Sequence, residues 1–298
     1  MAQLQPPLSA KPMATLDIPN RYLALAPVVV TSPTTRCGTT LVQRLLTASD
    51  NAFIYGEEIG NQLRTLTALF IAQITADETN GEALDRAFVD ALAGTGGRWR
   101  PGLIAPGAVM LRAWTEIYYQ LPATLAAFGQ SLDRPVWGFK WPGYTPDALA
   151  QLRALMPETR VVYVTRNLVD ALQSAKARKF VTNPLQTERF CAEWARNMDA
   201  FAAGPADERI LNLRYETLVS DKAAQIETLA AFTGTAGIQA AELDIKVNTF
   251  VGEEGHGRSP TQYIAPEPLT AEEWKTVATH AGAAMARHYP DVALRPAA

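Results

Sequence analysis

Residues 28–46 read VVVTSPTTRCGTTLVQRLL, and this stretch decides the fold. Its first residues are β-branched and apolar, which is typical of a strand buried on both faces of a parallel sheet. A turn containing Pro33 and Gly38 follows, and beyond it apolar residues recur at helical spacing. In a strand–turn–helix of this kind, several backbone N–H groups and the positive end of the helix dipole converge on one point. The stretch therefore predicts a cradle for an anion.

Three side chains in this turn favour a phosphate or sulfate ester as the anion. Arg36 adds a formal positive charge, and Thr39 and Thr40 add hydroxyl donors at the start of the helix. The alternative is an ordinary capped turn with a surface arginine. No Gly-Lys-Ser or Gly-Lys-Thr triplet occurs, which disfavours a nucleotide kinase, and no G-x-G-x-x-G follows the strand, which disfavours a dinucleotide fold.

The rest of the chain alternates between strand-like and helix-like segments. Apolar, strand-like runs occupy residues 26–31, 135–139, 159–165 and 209–213. Helical spacing is found over residues 39–48, 61–75, 82–92, 116–128, 145–156, 167–179, 186–203, 222–233 and 270–287. The last of these opens with the capping-box pattern TAEE. This alternation predicts an α/β fold of the P-loop type, with three layers (α/β/α) and a mostly parallel central sheet of four to five strands.

The distribution of prolines and glycines predicts how the chain is organised. Residues 1–20 contain four prolines and no apolar core of signal-peptide length, so we expect a mobile arm rather than an export signal. No linker divides the remainder, and residues 21–298 are predicted to form a single domain. Residues 249–268 read as a long loop. No run of 18 apolar residues occurs, so no membrane span is expected, and the expected compartment is the cytoplasm.

Composition excludes several classes of function. Of the 298 residues, 48% are apolar and 19% charged, as in a folded globular protein. The formal net charge of −3 argues against a nucleic-acid-binding protein. Two cysteines cannot form a disulfide framework or a four-cysteine zinc site, and the three histidines all lie in the last 43 residues without an H-E-x-x-H pattern. We therefore predict no metal.

Two motifs resemble those of sulfotransferases that use 3′-phosphoadenosine 5′-phosphosulfate (PAPS). Residues 32–46, SPTTRCGTTLVQRLL, resemble the family's 5′-phosphosulfate loop, although Cys37 stands where a serine is usual and two threonines separate Pro33 from Arg36. Residues 161–180, VVYVTRNLVDALQSAKARKF, resemble its 3′-phosphate segment, with an arginine at the strand end and a serine eight residues later, Arg166 and Ser174. The pattern is closest to the tyrosylprotein-sulfotransferase-like and bacterial branch.

The resemblance implies which residues bind the donor. These are Arg36, Cys37, Gly38, Thr39 and Thr40 at its 5′ end, and Arg166, Ser174 and Arg178 at its 3′ end. Residues 134–196 carry ten Lys or Arg against five Asp or Glu, so the second motif lies in a locally basic part of an acidic chain.

Two weaker matches extend the predicted donor site. Residues 209–221, RILNLRYETLVSD, would bring Tyr215 near the adenine or the 3′-phosphate, with a core tyrosine as the alternative. Residues 249–260, TFVGEEGHGRSP, resemble a loop that closes over the nucleotide through Arg258 or Ser259.

The same resemblance implies the chemistry. PAPS would be the donor and 3′,5′-ADP the product, with no metal, and Arg36 would stabilise charge on the departing phosphate. Lys140, in GFKWPG, would donate to the bridging oxygen or the sulfuryl group. The sequence YGEEI at residues 55–59 resembles the segment that supplies a glutamate base, which favours Glu58 if one residue is inserted, with Glu57 as runner-up. Both acids could instead complement a helix dipole, and His256 is a rival base only if the late loop closes over the site.

The acceptor is expected to be a small molecule or a peptide, and the sequence leaves its identity and the oligomeric state open. Aromatic residues that could wall its pocket, or simply pack in the core, are Trp99, Trp114, Tyr118 and Tyr119. Two other functions remain open from the residues alone: a P-loop small-molecule kinase and a non-catalytic module that binds 3′,5′-ADP.

Overall fold

The computed structural model describes residues 18–95, 103–245 and 265–292. In these residues five parallel strands form one sheet in the order β2-β3-β1-β4-β5. The strands are β1 (Val28–Thr31), β2 (Ala52–Tyr55), β3 (Val136–Lys140), β4 (Arg160–Thr165) and β5 (Ile210–Arg214). The predicted α/β fold with a parallel sheet is confirmed.

The first strand lies at the centre of this sheet. Val29 pairs with Phe139 of β3 on one side and with Val161 of β4 on the other. All three side chains are fully buried. This explains why the β1 sequence is apolar without polar alternation, since a central parallel strand is covered on both faces.

Helices cover both faces of the sheet. They are α1 (Asn20–Leu23), α2 (Thr39–Thr47), α3 (Glu57–Ala93), α4 (Gly107–Ser131), α5 (Pro146–Leu155), α6 (Leu168–Ala177), α7 (Pro184–Ala202), α8 (Tyr215–Ser220), α9 (Lys222–Thr233) and α10 (Ala271–His288), with a 3₁₀ turn at Ala240–Leu243. Successive residues of β4 divide between the two faces. Val161 packs with α3, α4 and α5 and Tyr163 with α6, α7 and α10, whereas Val162 and Val164 pack with α2, α8 and α9.

Three local predictions differ from the structure. The helices predicted at 61–75 and 82–92 are one helix, α3, because the residues between them contain no proline and a single internal glycine costs a helix only about 1 kcal/mol. Helix α4 begins nine residues before the predicted 116–128 and continues through Pro122. The edge strand β2 was missed because it has only four residues and pairs with β3 alone.

The predicted capping box at the start of α10 is confirmed. Thr270 Oγ1 accepts a hydrogen bond from Glu273 N at 3.3 Å, and the Glu273 carboxylate accepts one from Thr270 N at 2.7 Å. The predicted mobile arm falls largely on residues 1–17, outside the described part of the chain, so it and the single-domain assignment stay predictions. None of the helices in the described residues is long and apolar enough to cross a membrane.

The sheet order creates a crevice at the carboxyl ends of β1 and β4. The chain leaves β1 towards β2 on one side and leaves β4 towards β5 on the other, although β1 and β4 are neighbours. In open α/β sheets, ligands bind where the connections of adjacent strands diverge in this way. Both predicted donor-binding motifs follow these two strands.

The edge strand β2 is secured by one guanidinium group. Arg134 Nη1 donates hydrogen bonds to the carbonyl oxygens of Thr47, Ser49 and Ala52, at 3.0, 2.6 and 2.9 Å. These carbonyls span the connection from α2 to β2, so Arg134 ties that connection to the start of β3.

We expect Arg134→Ala to lower the free energy of unfolding by about 2 kcal/mol, since hydrogen bonds to charged groups contribute roughly 1.5–3 kcal/mol. Arg86→Ala is the matched control, because Arg86 lies on the exposed side of α3 and only approaches Glu82 at 3.8 Å. Urea unfolding curves measure both. Equal midpoints for the two variants would contradict the role assigned to Arg134.

Candidate functional site

The turn between β1 and α2 has an unusual backbone. Arg36 and Gly38 both adopt positive φ angles, 68° and 102°. Gly38 is the N-cap of α2 and has no side chain with which to cap the helix. The first N–H groups of a helix have no acceptor one turn earlier within it, so those of α2 are directed at the carboxyl end of β1, where an anion can bind.

Two neighbouring elements hold this turn from outside. Asn197 of α7 donates from Nδ2 to the Pro33 carbonyl at 2.7 Å, and both residues are buried. In the connection after β3, Gly143 N donates to the Ser32 carbonyl at 2.9 Å. Within the turn, Ser32 Oγ donates to the Thr34 carbonyl at 2.6 Å. Hydrogen bonds from α7 and from the connection after β3 therefore hold the turn in place in the free protein.

The glycine of the turn allows an aromatic ring to approach the backbone. A Cβ at Gly38 would lie 2.5 Å from Cδ2 of Tyr215, so a larger residue would displace the ring as well as strain the positive φ. The Arg166 guanidinium lies over the same ring, 4.5 Å from its centroid. Tyr215 is therefore packed against both predicted donor-binding motifs.

Three arginines of the two motifs converge at this crevice. Arg36 Nε donates to Ser174 Oγ at 3.2 Å, and Arg166 Nη1 donates to the Arg36 carbonyl at 3.3 Å. Arg178 is fully buried. Burial, followed by repulsion from Arg178 and Arg166, lowers the pKa of Arg36 to about 10. The two motifs thus form one basic site, although Arg36 and Ser174 are 138 residues apart in the chain.

Among the residues that the structure describes, two carboxylates lie near this charge. Asp170, in the first turn of α6 and about half exposed, lies 3.8 Å from Arg166 Nη2. Glu57 is close enough to raise the pKa of Arg36, but burial and the other two arginines outweigh it. A polyanionic ligand would relieve this repulsion, because it supplies negative charge between the cations.

A lysine–glutamate pair borders the same turn. Lys140, at the end of β3 and only 6% exposed, donates from Nζ to Glu57 Oε1 at 2.5 Å and to Thr40 Oγ1 at 3.2 Å. Gly60 allows this contact, since a Cβ there would lie 2.7 Å from the Lys140 carbonyl oxygen. The first turn of α3 therefore rests on the end of β3 and directs Glu57 at Lys140.

Glu58 has a different environment. Its carboxylate is exposed and accepts a hydrogen bond from Gln62 Nε2 at 3.2 Å, one turn along α3. The contacts thus favour Glu57, the runner-up from the sequence, as the acid beside Lys140. Which of the two acts as a base stays a prediction.

The remaining predicted residues divide into those near the turn and those outside the described chain. Thr39 is buried at the start of α2. Burial raises the pKa of Cys37 to about 11, so its thiol stays neutral and only its backbone can serve a ligand. The predictions for Arg258, Ser259, His256 and Trp99 fall on residues that the structure does not describe.

Two of the predicted acceptor-pocket aromatics belong to the core instead. Tyr118 and Tyr119 are 1% and 0% exposed. Tyr118 stacks on Phe70 and Tyr119 on Tyr22, with ring centroids 5.3 and 4.5 Å apart. The core alternative is correct for this pair because apolar neighbours enclose both rings.

Sequence reasoning missed the residues that support the site. Asn197 and Trp194 lie on the buried face of α7, where Trp194 Nε1 donates to the Arg166 carbonyl at 3.0 Å. The sequence pattern that could have identified Asn197 is a polar residue on the apolar, buried face of a helix. In the described parts of the chain, no group of three His, Cys, Asp or Glu side chains is placed to hold a metal ion.

Several solved structures are similar to this chain at low identity. The sulfotransferase domain of the Synechococcus PCC 7002 olefin synthase is 17% identical, covers 85% of this chain and 94% of its own, and has a TM-score of 0.46. A sulfotransferase from Mycobacterium tuberculosis H37Rv is 17% identical, with coverages of 87% and 79% and a TM-score of 0.43. Retinol dehydratase, solved with androsterone and the inactive cofactor PAP, is 15% identical, with coverages of 93% and 87% and a TM-score of 0.46.

Comparison with curated proteins found no match. The family model described as "Sulfotransferase family" matches residues 27–238, which is most of the chain. This range contains the turn after β1, Glu57, Lys140, the arginine-rich segment after β4, and Tyr215. The motifs read from the sequence, their convergence in the fold and the family match agree, and the chain belongs to the sulfotransferase family.

Proposed function

We propose that this protein transfers a sulfuryl group from PAPS to a hydroxyl or amine of a small-molecule or peptide acceptor. One observation carries the proposal: the Arg36–Ser174 hydrogen bond joins the anion-binding turn after β1 to a second basic site after β4. A donor with a phosphosulfate at its 5′ end and a phosphate at its 3′ position has two anionic ends. Two adjoining basic sites suit such a molecule better than a nucleotide with one phosphate cluster.

The 5′ end of the donor would bind at the start of α2. The N–H groups of its first turn, the Thr39 and Thr40 hydroxyls and Arg36 are the donors there, while Cys37 and Gly38 offer backbone only. Negative charge grows on the 5′-phosphate as the bond to sulfur breaks. Donors that already point at this position stabilise that charge without reorganising.

The 3′-phosphate would bind between Arg166, Ser174 and Arg178. Guanidinium groups bind phosphate through paired N–H donors, and burial of Arg178 and Ser174 strengthens such contacts by excluding water. Tyr215 lies beneath Arg166 and beside Gly38, so it limits how both groups can move.

Lys140 and Glu57 would carry out the proton and charge chemistry. Lys140 Nζ lies at Thr40, beside the helix start that would hold the 5′-phosphate, so it can reach the oxygen between phosphorus and sulfur. The acceptor oxygen or nitrogen forms a bond to sulfur, the sulfur–oxygen bond to the 5′-phosphate breaks, and 3′,5′-ADP leaves. Glu57 takes the acceptor's proton once Lys140 turns from it towards the donor.

Of the two adjacent acids, Glu57 rather than Glu58 is proposed as the base. The contact with Lys140 supports Glu57, because a base must lie within hydrogen-bond reach of the reacting groups. The sequence resemblance supports Glu58, which lies one residue further on. The two acids are therefore tested side by side.

We expect 3′,5′-ADP to bind far more tightly than 5′-AMP, without added metal. Each charge-assisted hydrogen bond that 5′-AMP cannot make at the 3′ site should cost about 1.5–3 kcal/mol, or roughly tenfold or more in affinity. Arg166→Ala and Ser174→Ala should weaken binding of 3′,5′-ADP but leave binding of 5′-AMP nearly unchanged. Arg36→Ala should weaken binding of both nucleotides. Isothermal titration calorimetry measures these constants, with Arg86→Ala as the surface control. Equal affinities of the unchanged protein for the two nucleotides would refute the proposal.

We expect Glu57→Gln to lower single-turnover sulfuryl transfer by about 10²-fold or more, the usual cost of removing a general base. The acceptor for this assay comes from a labelled-PAPS screen over alcohols, phenols, amines and tyrosine peptides. Binding of 3′,5′-ADP should survive, because a carboxylate adds no positive charge to the anion sites. Glu58→Gln is the matched control and should retain normal turnover.

The reverse pattern, with collapse in Glu58→Gln and normal turnover in Glu57→Gln, would transfer the role to Glu58. A different outcome would favour the non-catalytic alternative. In that case the protein binds 3′,5′-ADP but sulfates none of the screened acceptors, and removal of the Glu57 and Lys140 side chains leaves 3′,5′-ADP binding unchanged.

A further inference from the structure

One peptide unit at the 3′ site is fixed at both of its polar ends. The carbonyl of Arg166 accepts a hydrogen bond from Trp194 Nε1 at 3.0 Å. The N–H of the same peptide, on Asn167, donates to Glu216 Oε1 at 2.9 Å. Because the peptide group is planar, bonds at both ends set the orientation of the whole unit. The backbone from which the Arg166 side chain extends is thereby held.

The same carboxylate oxygen also sets the start of α6. Glu216 Oε1 accepts a second hydrogen bond from Asn167 Nδ2 at 2.8 Å. With a further bond from Asn167 Nδ2 to Asp170 Oδ2 at 2.9 Å, it orients the Asn167 amide so that its oxygen accepts from Asp170 N at 2.9 Å and caps the helix. Helix α6 carries Ser174 and ends beside Arg178, so all three groups of the 3′ site follow from this position.

Glu216 also connects the turns that follow β4 and β5. The two strands pair in register up to Thr165 and Arg214, and the chain then turns into α6 and α8. Tyr215 immediately precedes Glu216, and its ring lies 4.5 Å from the Arg166 guanidinium. The carboxylate of Glu216 thus holds the segment that carries Tyr215 against the segment that carries Arg166.

The second oxygen of Glu216 lies beside a cation. Glu216 Oε2 lies 3.4 Å from Arg214 Nε, and Arg214 makes two hydrogen bonds to Asp291 at 2.9 and 2.8 Å. A carboxylate near a phosphate site would repel the phosphate if its charge were not engaged elsewhere. Here Oε1 of Glu216 accepts two hydrogen bonds from Asn167, and Oε2 lies in an ion pair with Arg214 without a hydrogen bond.

We propose that Glu216 is a positioning residue that sets the preference for a 3′-phosphorylated nucleotide without touching the nucleotide. This inference rests on the proposed function. Its physical basis is that Arg166 and Ser174 must be placed together to contact one phosphate. A displacement of about 1 Å in a positioned group can lower a reaction rate by up to 10²-fold, and we expect a loss of affinity for the same reason. Glu216 acts on both through Asn167.

The test compares binding of 3′,5′-ADP and 5′-AMP by calorimetry in Glu216→Ala, Glu216→Gln and Asp207→Asn. The alanine variant should lose about tenfold in affinity for 3′,5′-ADP but less than about threefold for 5′-AMP. The glutamine variant should retain the preference, since its amide oxygen can still accept both bonds from Asn167. Asp207, which pairs with Arg153 at the opposite end of β5, is the matched control and should leave both affinities unchanged.

Trp194→Phe provides a second variant should Glu216→Ala fail to fold. It keeps an aromatic ring but removes the donor to the Arg166 carbonyl, so a smaller loss confined to 3′,5′-ADP is expected. If the folded variants lose affinity equally for the two nucleotides, or if the ratio of the two affinities is unchanged, the inference about Glu216 is wrong. The proposed function would not be affected by that result. If the unchanged protein shows no preference for 3′,5′-ADP, the proposed function is wrong and the inference falls with it.

Discussion

Repulsion among three buried or half-buried guanidinium groups is the constraint on which this site depends. Burial and the charges of Arg166 and Arg178 lower the pKa of Arg36 to about 10, so holding these cations together costs the free protein stability. Apolar clusters on both faces of the sheet offset that cost. In the proposed function, a polyanionic ligand replaces this repulsion with attraction when it binds.

The neighbouring contacts of the site serve to keep these cations in place. Asn197 holds the Pro33 carbonyl, Trp194 and Glu216 hold the peptide after Arg166, and Tyr215 fills the space that Gly38 leaves open. Preorganisation of this kind reduces the ordering that binding would otherwise require. The Lys140–Glu57 pair differs, since its two members are hydrogen-bonded to each other in the free protein and, in the proposed mechanism, separate before either acts.

The fold and the two predicted anion-binding motifs could be recognised from local sequence because each consists of contiguous residues. An apolar strand, a turn with Gly38 and an amphipathic helix follow one another within 19 residues, and the spacing from Arg166 to Ser174 is equally local. Short or uninterrupted elements were harder to place. Strand β2 has four residues, and α3 continues across residues that resemble a boundary, because packing on a formed sheet outweighs weak local preferences.

The sequence alone determined the strand–turn–helix at residues 28–46, the alternation that makes a parallel sheet, and the residue types at both predicted anion sites. Only the tertiary structure decided which acid meets Lys140. Glu57 and Glu58 are adjacent in YGEEI and equivalent as residue types, but successive positions on a helix point in different directions. The close approach of Gly60 to the end of β3 turns Glu57 to the lysine, whereas Glu58 contacts Gln62 on its own helix. The positions of Trp194 and Glu216 likewise follow from contacts between elements far apart in the chain, which no local pattern encodes.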